Sequence, residues 1–191
     1  MGDANPDPRA WLALCAALAL VSILVWMLGL ATPLAWQPAA WPDRPWLFWT
    51  GSLAHASGPL LSASLAALAV LAVLGTSLGA GRTACQAVLL AWPLGNLALL
   101  AWPSITAYEG LAGLQCSMLA VLGLHAAGRP AGWLLLALLV ALLMGEQAWR
   151  NPVGYDPNWG VNGVYAAHLG GALAGLLAGI GLDIAGRRRR P

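Results

Sequence analysis

An all-α, polytopic membrane protein is the fold class this sequence predicts, a bundle of six membrane-spanning helices resting on three observations. Hydrophobic residues make up 60% of the chain and charged residues 8%, whereas a soluble globular domain carries about a quarter charged residues. The apolar residues fall into six runs, most of about 20 residues, the length that crosses a hydrocarbon core of ~30 Å at 1.5 Å per residue. Arginine and tryptophan then segregate to opposite ends of those runs, as expected at two membrane interfaces.

The first run, about residues 10–31, is longer than a signal-peptide core, and no small-x-small cleavage site precedes the Pro/Trp-rich stretch after it. It reads as a retained helix. The stretch Ala31 to Ala56 holds Pro33, Pro38, Pro42 and Pro45 among several tryptophans, which places it as an interfacial outer loop. Further spans run at about 57–79, 83–102, 110–127, 131–149 and 162–183, cut apart by charges and prolines. Short tails at 1–9 and 184–191 complete a single membrane domain. Leucine and alanine occupy every face of most runs, as lipid contact requires. Such long runs exclude a transmembrane β-barrel, which shows alternation in segments of about ten residues. Before the last span, NPVGYDPNWGV (Asn151 to Val161) is a turn segment positioned to cover the space between helix ends.

Lysine is absent and all nine basic residues are arginines. Arg9, Arg82, Arg129 and Arg187 to Arg190, seven in all, fall on one side of a six-span topology; Arg44 and Arg150 fall on the other. The positive-inside rule puts both termini in the cytoplasm. Trp36, Trp41, Trp46, Trp49, Trp102, Trp149 and Trp159 crowd the opposite face as an interfacial belt. The terminal arginine run locks topology beside anionic headgroups. A net charge of +2 is too small for nucleic-acid binding, and the lipid bilayer is the partner implied.

Chemistry concentrates in the last span, AAHLGGALAGLLAGIG. His168 lies about six residues inside the outer boundary, roughly 9 Å deep at helical rise, where a histidine faces the bundle or a wet cavity. Ala167, Gly171, Gly175 and Gly179 recur every four residues, a small-residue stripe that lets a neighbouring backbone approach. His168 sits at the edge of that face.

Other polar groups carry plainer readings. Cys15 and Cys85 are packing residues. Glu146 either faces the cavity or snorkels with Arg150, and Glu109 complements the dipole of the helix it precedes. His125 is interfacial and Asp183 solvated. GTSLG, Gly75 to Gly79, matches the G-x-S-x-G elbow formally, but that motif needs a strand-to-helix turn and this one ends a membrane helix. No cluster has metal-site spacing, and no cofactor is expected.

The pattern AHLGGALAG resembles the last helix of rhomboid intramembrane serine proteases, in which the histidine is the general base. The fourth span opens YEGLAGLQCSML; rhomboids carry GxSG here, with the serine as nucleophile, and this chain has Gly110, Leu111, Ala112 and Gly113. Together with LLMGEQAWR at the end of the fifth span, the similarity is greatest to the rhombosortase branch, whose members process exported proteins bearing a C-terminal Gly-Gly sorting segment. The likeness covers about residues 46–183, most closely 108–124 and 164–180. It implies a bacterial-type inner membrane, a site facing the periplasm, and a single-span membrane protein or sorting segment as partner.

The departures bear on activity. Ala112 has no hydroxyl, so acyl transfer through a Ser–His dyad is closed at that position. Rhomboids also place a histidine and, four residues later, an asparagine on the second helix to stabilise the oxyanion. Aligning on His55 puts those positions at Leu60, which donates no hydrogen bond, and Ser64, which donates a weaker one. Loss at three positions is the pattern of natural decay rather than of one introduced change. Cys116, one turn below Ala112, is the alternative nucleophile or a packing residue, and Ser117 is rotated about 140° away. The reading is a rhombosortase-like protein of rhomboid fold, from a family of intramembrane serine endopeptidases that cleave membrane-anchored substrates, inactive as given; the alternative is a non-catalytic pseudorhomboid module that retains or delivers transmembrane clients. A small transporter is the third class, with neither paired broken helices nor a pore-lining ring in its favour.

Overall fold

In this computed structural model residues 7–157 and 160–188 are described, with backbone alone for Asp156, Val161 and 184–188. Trp159, Arg189 and Arg190, part of the expected belt and arginine run, lie outside the described residues.

Six principal helices form among the described residues, and their ends follow from local chemistry. Helix α1 (Pro8–Met27) starts where the Asp7 carboxylate accepts the Arg9 N–H at 3.2 Å, with proline in the first turn. In α2 (Gly58–Leu78), the Ser57 hydroxyl accepts the Leu60 N–H at 3.3 Å; the helix stops at Gly79, whose φ of +75° suits a residue without a Cβ. α3 (Arg82–Ala98) continues through Pro93 into a 3-10 turn, Leu99–Ala101. α4 (Ala112–His125), α5 (Pro130–Glu146) and α6 (Tyr165–Arg188) complete the set. α5 ends three residues before the expected 149, because Gln147 adopts the left-handed conformation at φ +50°.

Among the described residues, four helices are long and apolar enough to cross a membrane: Pro8–Met27, Gly58–Leu78, Arg82–Ala101 and Tyr165–Asp183. The apolar helices α4 and α5 are shorter than the expected spans, roughly 21 and 26 Å at helical rise. α4 is the hub. Leu114, Met118, Ala120, Val121 and Leu122 in it are at most 2% exposed, and its most extensive packing is with α6. Leu20, Met27, Val73, Trp133, Leu138 and Leu177 point outward instead. That inverts a soluble protein's surface and suits lipid. Asp183, expected in solvent, is partly buried.

The glycine stripe works against α4. A Cβ on Gly171 would overlap the Gly113 carbonyl oxygen, one on Gly175 would come within 2.6 Å of the Ser117 oxygen, and one on Gly179 within 2.9 Å of Leu124. The two helices run parallel, the α6 glycines meeting Gly113, Ser117 and Leu124 of α4 in order. On its other side α6 meets α3, with a Gly170 Cβ 2.9 Å from the Gly95 oxygen. α1 is held to α2 by fully buried Trp11, whose indole N–H donates to the Leu71 carbonyl at 2.9 Å while Gly75 makes room for the ring.

One end of the bundle gathers Arg9, Arg82 and Arg129; the last donates to the Leu78 carbonyl at 3.4 Å. The opposite end carries a folded cap. The first loop forms one-turn helices at Ala31–Leu34 and Leu47–Thr50 and a 3-10 turn at Gly51–Leu53. Trp36 exchanges both backbone hydrogen bonds with Tyr108, at 2.9 and 2.8 Å, and Gly110 N–H reaches the Gly51 carbonyl. Trp36 therefore departs from the expected belt: it is fully buried beside Phe48 and Ile105 as the centre of the cap, because the Tyr108 pairing draws it inward. Trp41, Trp46, Trp49 and Trp149 remain exposed. Asn96 of α3 ties the cap to the helices, donating to the Phe48 carbonyl at 2.6 Å and to Ser52 Oγ at 3.1 Å. The turn segment before α6 closes into a hairpin, β1 (Gly154–Asp156) against β2 (Val161–Gly163), antiparallel with Gly154 opposite Gly163.

Gly171→Ala should destabilise the bundle by about 1–3 kcal/mol, the usual range for overpacking, read as a lower thermal midpoint in detergent micelles. Gly181→Ala, where an added Cβ meets nothing within 4 Å, should leave the midpoint in place. Equal midpoints for both variants would contradict the close α4–α6 contact.

Candidate functional site

Just beneath the cap, a cavity of about 310 Å³ opens between α2, α4 and α6. Leu60 and Ser64 line it from α2, Ala112 and Gln115 from α4, Glu146 from the end of α5 and His168 from α6. Asn162, Gly163 and Val164 cover it from the hairpin side. A second space of about 290 Å³ shares Leu60, Tyr108, Glu109, Asn162 and Val164 with it and extends under the loop before α4.

Ala112 is the first residue of α4, and the chain reaches it through Gly110 at φ +111°, where a side chain would be strained. The start of this helix has no side-chain cap from its N-cap residue Leu111. The buried Tyr108 hydroxyl serves instead, accepting the Gly113 N–H at 3.0 Å and donating to the Gly110 carbonyl at 2.6 Å. That hydroxyl thus takes the capping role expected of Glu109, whose side chain lines both cavities. Burial pushes the Glu109 carboxyl above its ordinary range. One turn on, Gln115 donates from Nε2 to the Ser64 carbonyl at 2.6 Å, clamping α4 to α2 at the cavity wall.

The alternatives for Glu146 resolve toward the cavity. Its carboxylate meets His168 Nδ1 with both oxygens, Oε1 at 2.8 Å and Oε2 at 2.7 Å, the two side chains being only 16% and 19% exposed. The left-handed turn at Gln147 ends α5 at this carboxylate. Tyr165 stands edge-on to the imidazole, ring centroids 6.3 Å apart, and its own ring fills the space above Gly154 and Gly163. The hairpin is seated on the same side chain that borders His168. Below, Ser117 Oγ donates to the Gly171 carbonyl at 2.7 Å and ties α4 to α6 under the cavity.

Of the residues singled out in the sequence, Ala112, His168, Leu60 and Ser64 come together on one cavity, and Gly113 and Gly171 form the contact beneath them. His55 does not join them. It is fully buried with Nδ1 3.2 Å from the Leu53 carbonyl and Nε2 unpartnered, and burial pushes its pKa down. Cys116 is also absent from the cavity lining; it packs with Ala120, Leu139 and Ala172 in an apolar cluster. Sequence reasoning missed Tyr108, Gln115 and Asn162. Gln115 carried a usable signal as the only amide in its span. Tyr108 and Asn162 act through folded loops that no local pattern announces. Among the described residues no group of three or more His, Cys, Asp or Glu side chains could hold a metal ion. No known family model matches this chain, and no curated protein matches its sequence.

Tyr108→Phe should strand the Gly113 N–H in a buried site, a loss of about 1–3 kcal/mol; faster hydrogen exchange at that amide and a lower midpoint in micelles are the expected readouts. Glu109 gives a pH test. Its pKa is raised in the folded chain, so its contribution to stability is present below the unfolded value and is lost as pH rises through the folded one. Glu109→Gln should flatten that part of the stability–pH curve, and an unchanged curve would show that the carboxyl is not held in a desolvated site.

Proposed function

We propose that this chain is a six-span, rhombosortase-like rhomboid of the inner membrane that has lost its nucleophile and binds a client segment without cleaving it. One observation carries the reading: Ala112 and His168, the two positions matched to the rhomboid dyad, line the same capped cavity. A methyl group there offers nothing to attack a carbonyl, whereas the histidine, the glycine contact beneath it and the covering hairpin are all retained. The short helix α4 fits a six-span arrangement because other helices surround it and it need not match the bilayer. The grouping of Arg9, Arg82 and Arg129 at one end supports cytoplasmic termini and a cap facing the periplasm. The bound segment would be a single-span protein or the C-terminal sorting segment of an exported protein, entering beneath the hairpin.

The test compares the unmodified chain with Ala112→Ser, each reconstituted with a client carrying a Gly-Gly-tailed membrane segment. The unmodified chain should co-purify with the client and leave it intact, and the serine variant should cleave it slowly. Adding Leu60→His to the serine variant should raise the rate by about 10²-fold, within the range for one oxyanion donor. Cleavage by the unmodified chain that is abolished by Cys116→Ala would overturn the reading. So would failure of every variant to bind or cleave.

A further inference from the structure

We infer that Glu146 is the positioning residue for His168, holding the ring with Nδ1 protonated and leaving Nε2 as the unprotonated acceptor for whatever occupies the cavity. Here a carboxylate from a different helix places both of its oxygens within 2.8 Å of a single ring nitrogen. A carboxylate only accepts hydrogen bonds, so Nδ1 must be the donor, and in a neutral imidazole the other nitrogen is then the acceptor. Burial makes this consequential: at 16% and 19% exposure water competes weakly for either group, and a carboxylate at membrane depth persists where it has a partner. The backbone fixes the carboxylate as well. Gln147 at φ +50° stops α5 at Glu146, and the Tyr165 edge limits rotation of the imidazole.

In the chain as it stands, Nε2 accepts an N–H or O–H from the bound segment. In an Ala112→Ser variant the same nitrogen takes the Ser Oγ proton as Oγ bonds to the scissile carbonyl carbon. It gives that proton to the leaving amine as the C–N bond breaks, and water then hydrolyses the ester. Glu146 touches no reacting atom; it stabilises the imidazolium and sets the tautomer, completing a Ser–His–Glu arrangement.

This role rests on the preceding reading only for its kinetics, and the experiment separates the two. Ring nitrogen-15 shifts of His168, assigned with His168→Gln, report the tautomer of the full chain in micelles without any substrate. The unmodified chain should show Nδ1–H. Glu146→Gln, the same shape with an amide that can donate to Nδ1, should switch the ring to Nε2–H, and Glu146→Asp should restore Nδ1–H. In the Ala112→Ser background, Glu146→Gln should lower kcat by about 10²–10⁴, as wrong-tautomer variants of other triads do, while changing KM by less than about threefold; Glu146→Asp should recover part of the loss. An Nε2–H ring in the unmodified chain overturns the inference whatever the variants do, as does an unchanged kcat in Glu146→Gln. If the serine variant never cleaves, the lost oxyanion donors account for it, and the tautomer alone decides the role of Glu146.

Discussion

The close approach of α4 and α6 is the constraint on which the rest of the structure depends. At Gly113 and Gly171 the two backbones touch with no side chain between them, and at Gly175 the Ser117 backbone takes the same place. In a bilayer there is no gain from removing apolar surface from water, so helices associate through van der Waals contact and a few hydrogen bonds. Removing side chains from the seam is the direct way to increase both. Ser117 then adds a hydrogen bond across the seam to the Gly171 carbonyl. Because the helices are parallel and nearly in register, the first turn of α4 and the first turn of α6 lie side by side. That juxtaposition brings residues 112 and 168 to one cavity.

The cap converts this contact into an enclosed site. The start of a helix leaves N–H groups unpaired, and at membrane depth they need partners from the protein. Tyr108 meets that need for Gly113, and its backbone pairs with Trp36, so the first loop, the entry to α4 and the helix seam become one unit. Asn96 and Gln115 anchor the same unit to α3 and α2 through backbone carbonyls. Asn96 and Gln115 each join a polar side chain to the main chain of a distant segment, and with the backbone pairing they explain how a protein so poor in charge builds a defined pocket.

Much of this architecture was legible in the sequence, and the reasons differ by element. Helix cores were read from length and apolarity, and the expected and observed ranges differ mainly at the ends, where caps such as Ser57 and the left-handed Gln147 decide. The glycine stripe was readable because its spacing is that of one helix face. Its partner on α4 was reached through the likeness around Gly113. The pocket's second wall was harder. Glu146 could have faced lipid headgroups or the bundle interior, and only its contact with His168, a residue on another helix, settles it. Trp36 misled for a related reason: composition places tryptophan at an interface, but pairing with Tyr108, far away in sequence, buried it. Tertiary pairing of loops is the information a local pattern does not contain.

The site's chemistry is uneven, and the unevenness is informative. A carboxylate and an imidazole are the side chains in this pocket that are costliest to hold among apolar helices, and each needs a partner. The pair at Glu146 and His168 is geometrically well formed, while the methyl of Ala112 and the side chain of Leu60 line the same cavity without a polar atom. Under the proposed reading, the ionisable pair supports recognition of a polypeptide segment, while the side chain of residue 112 supplies no nucleophile.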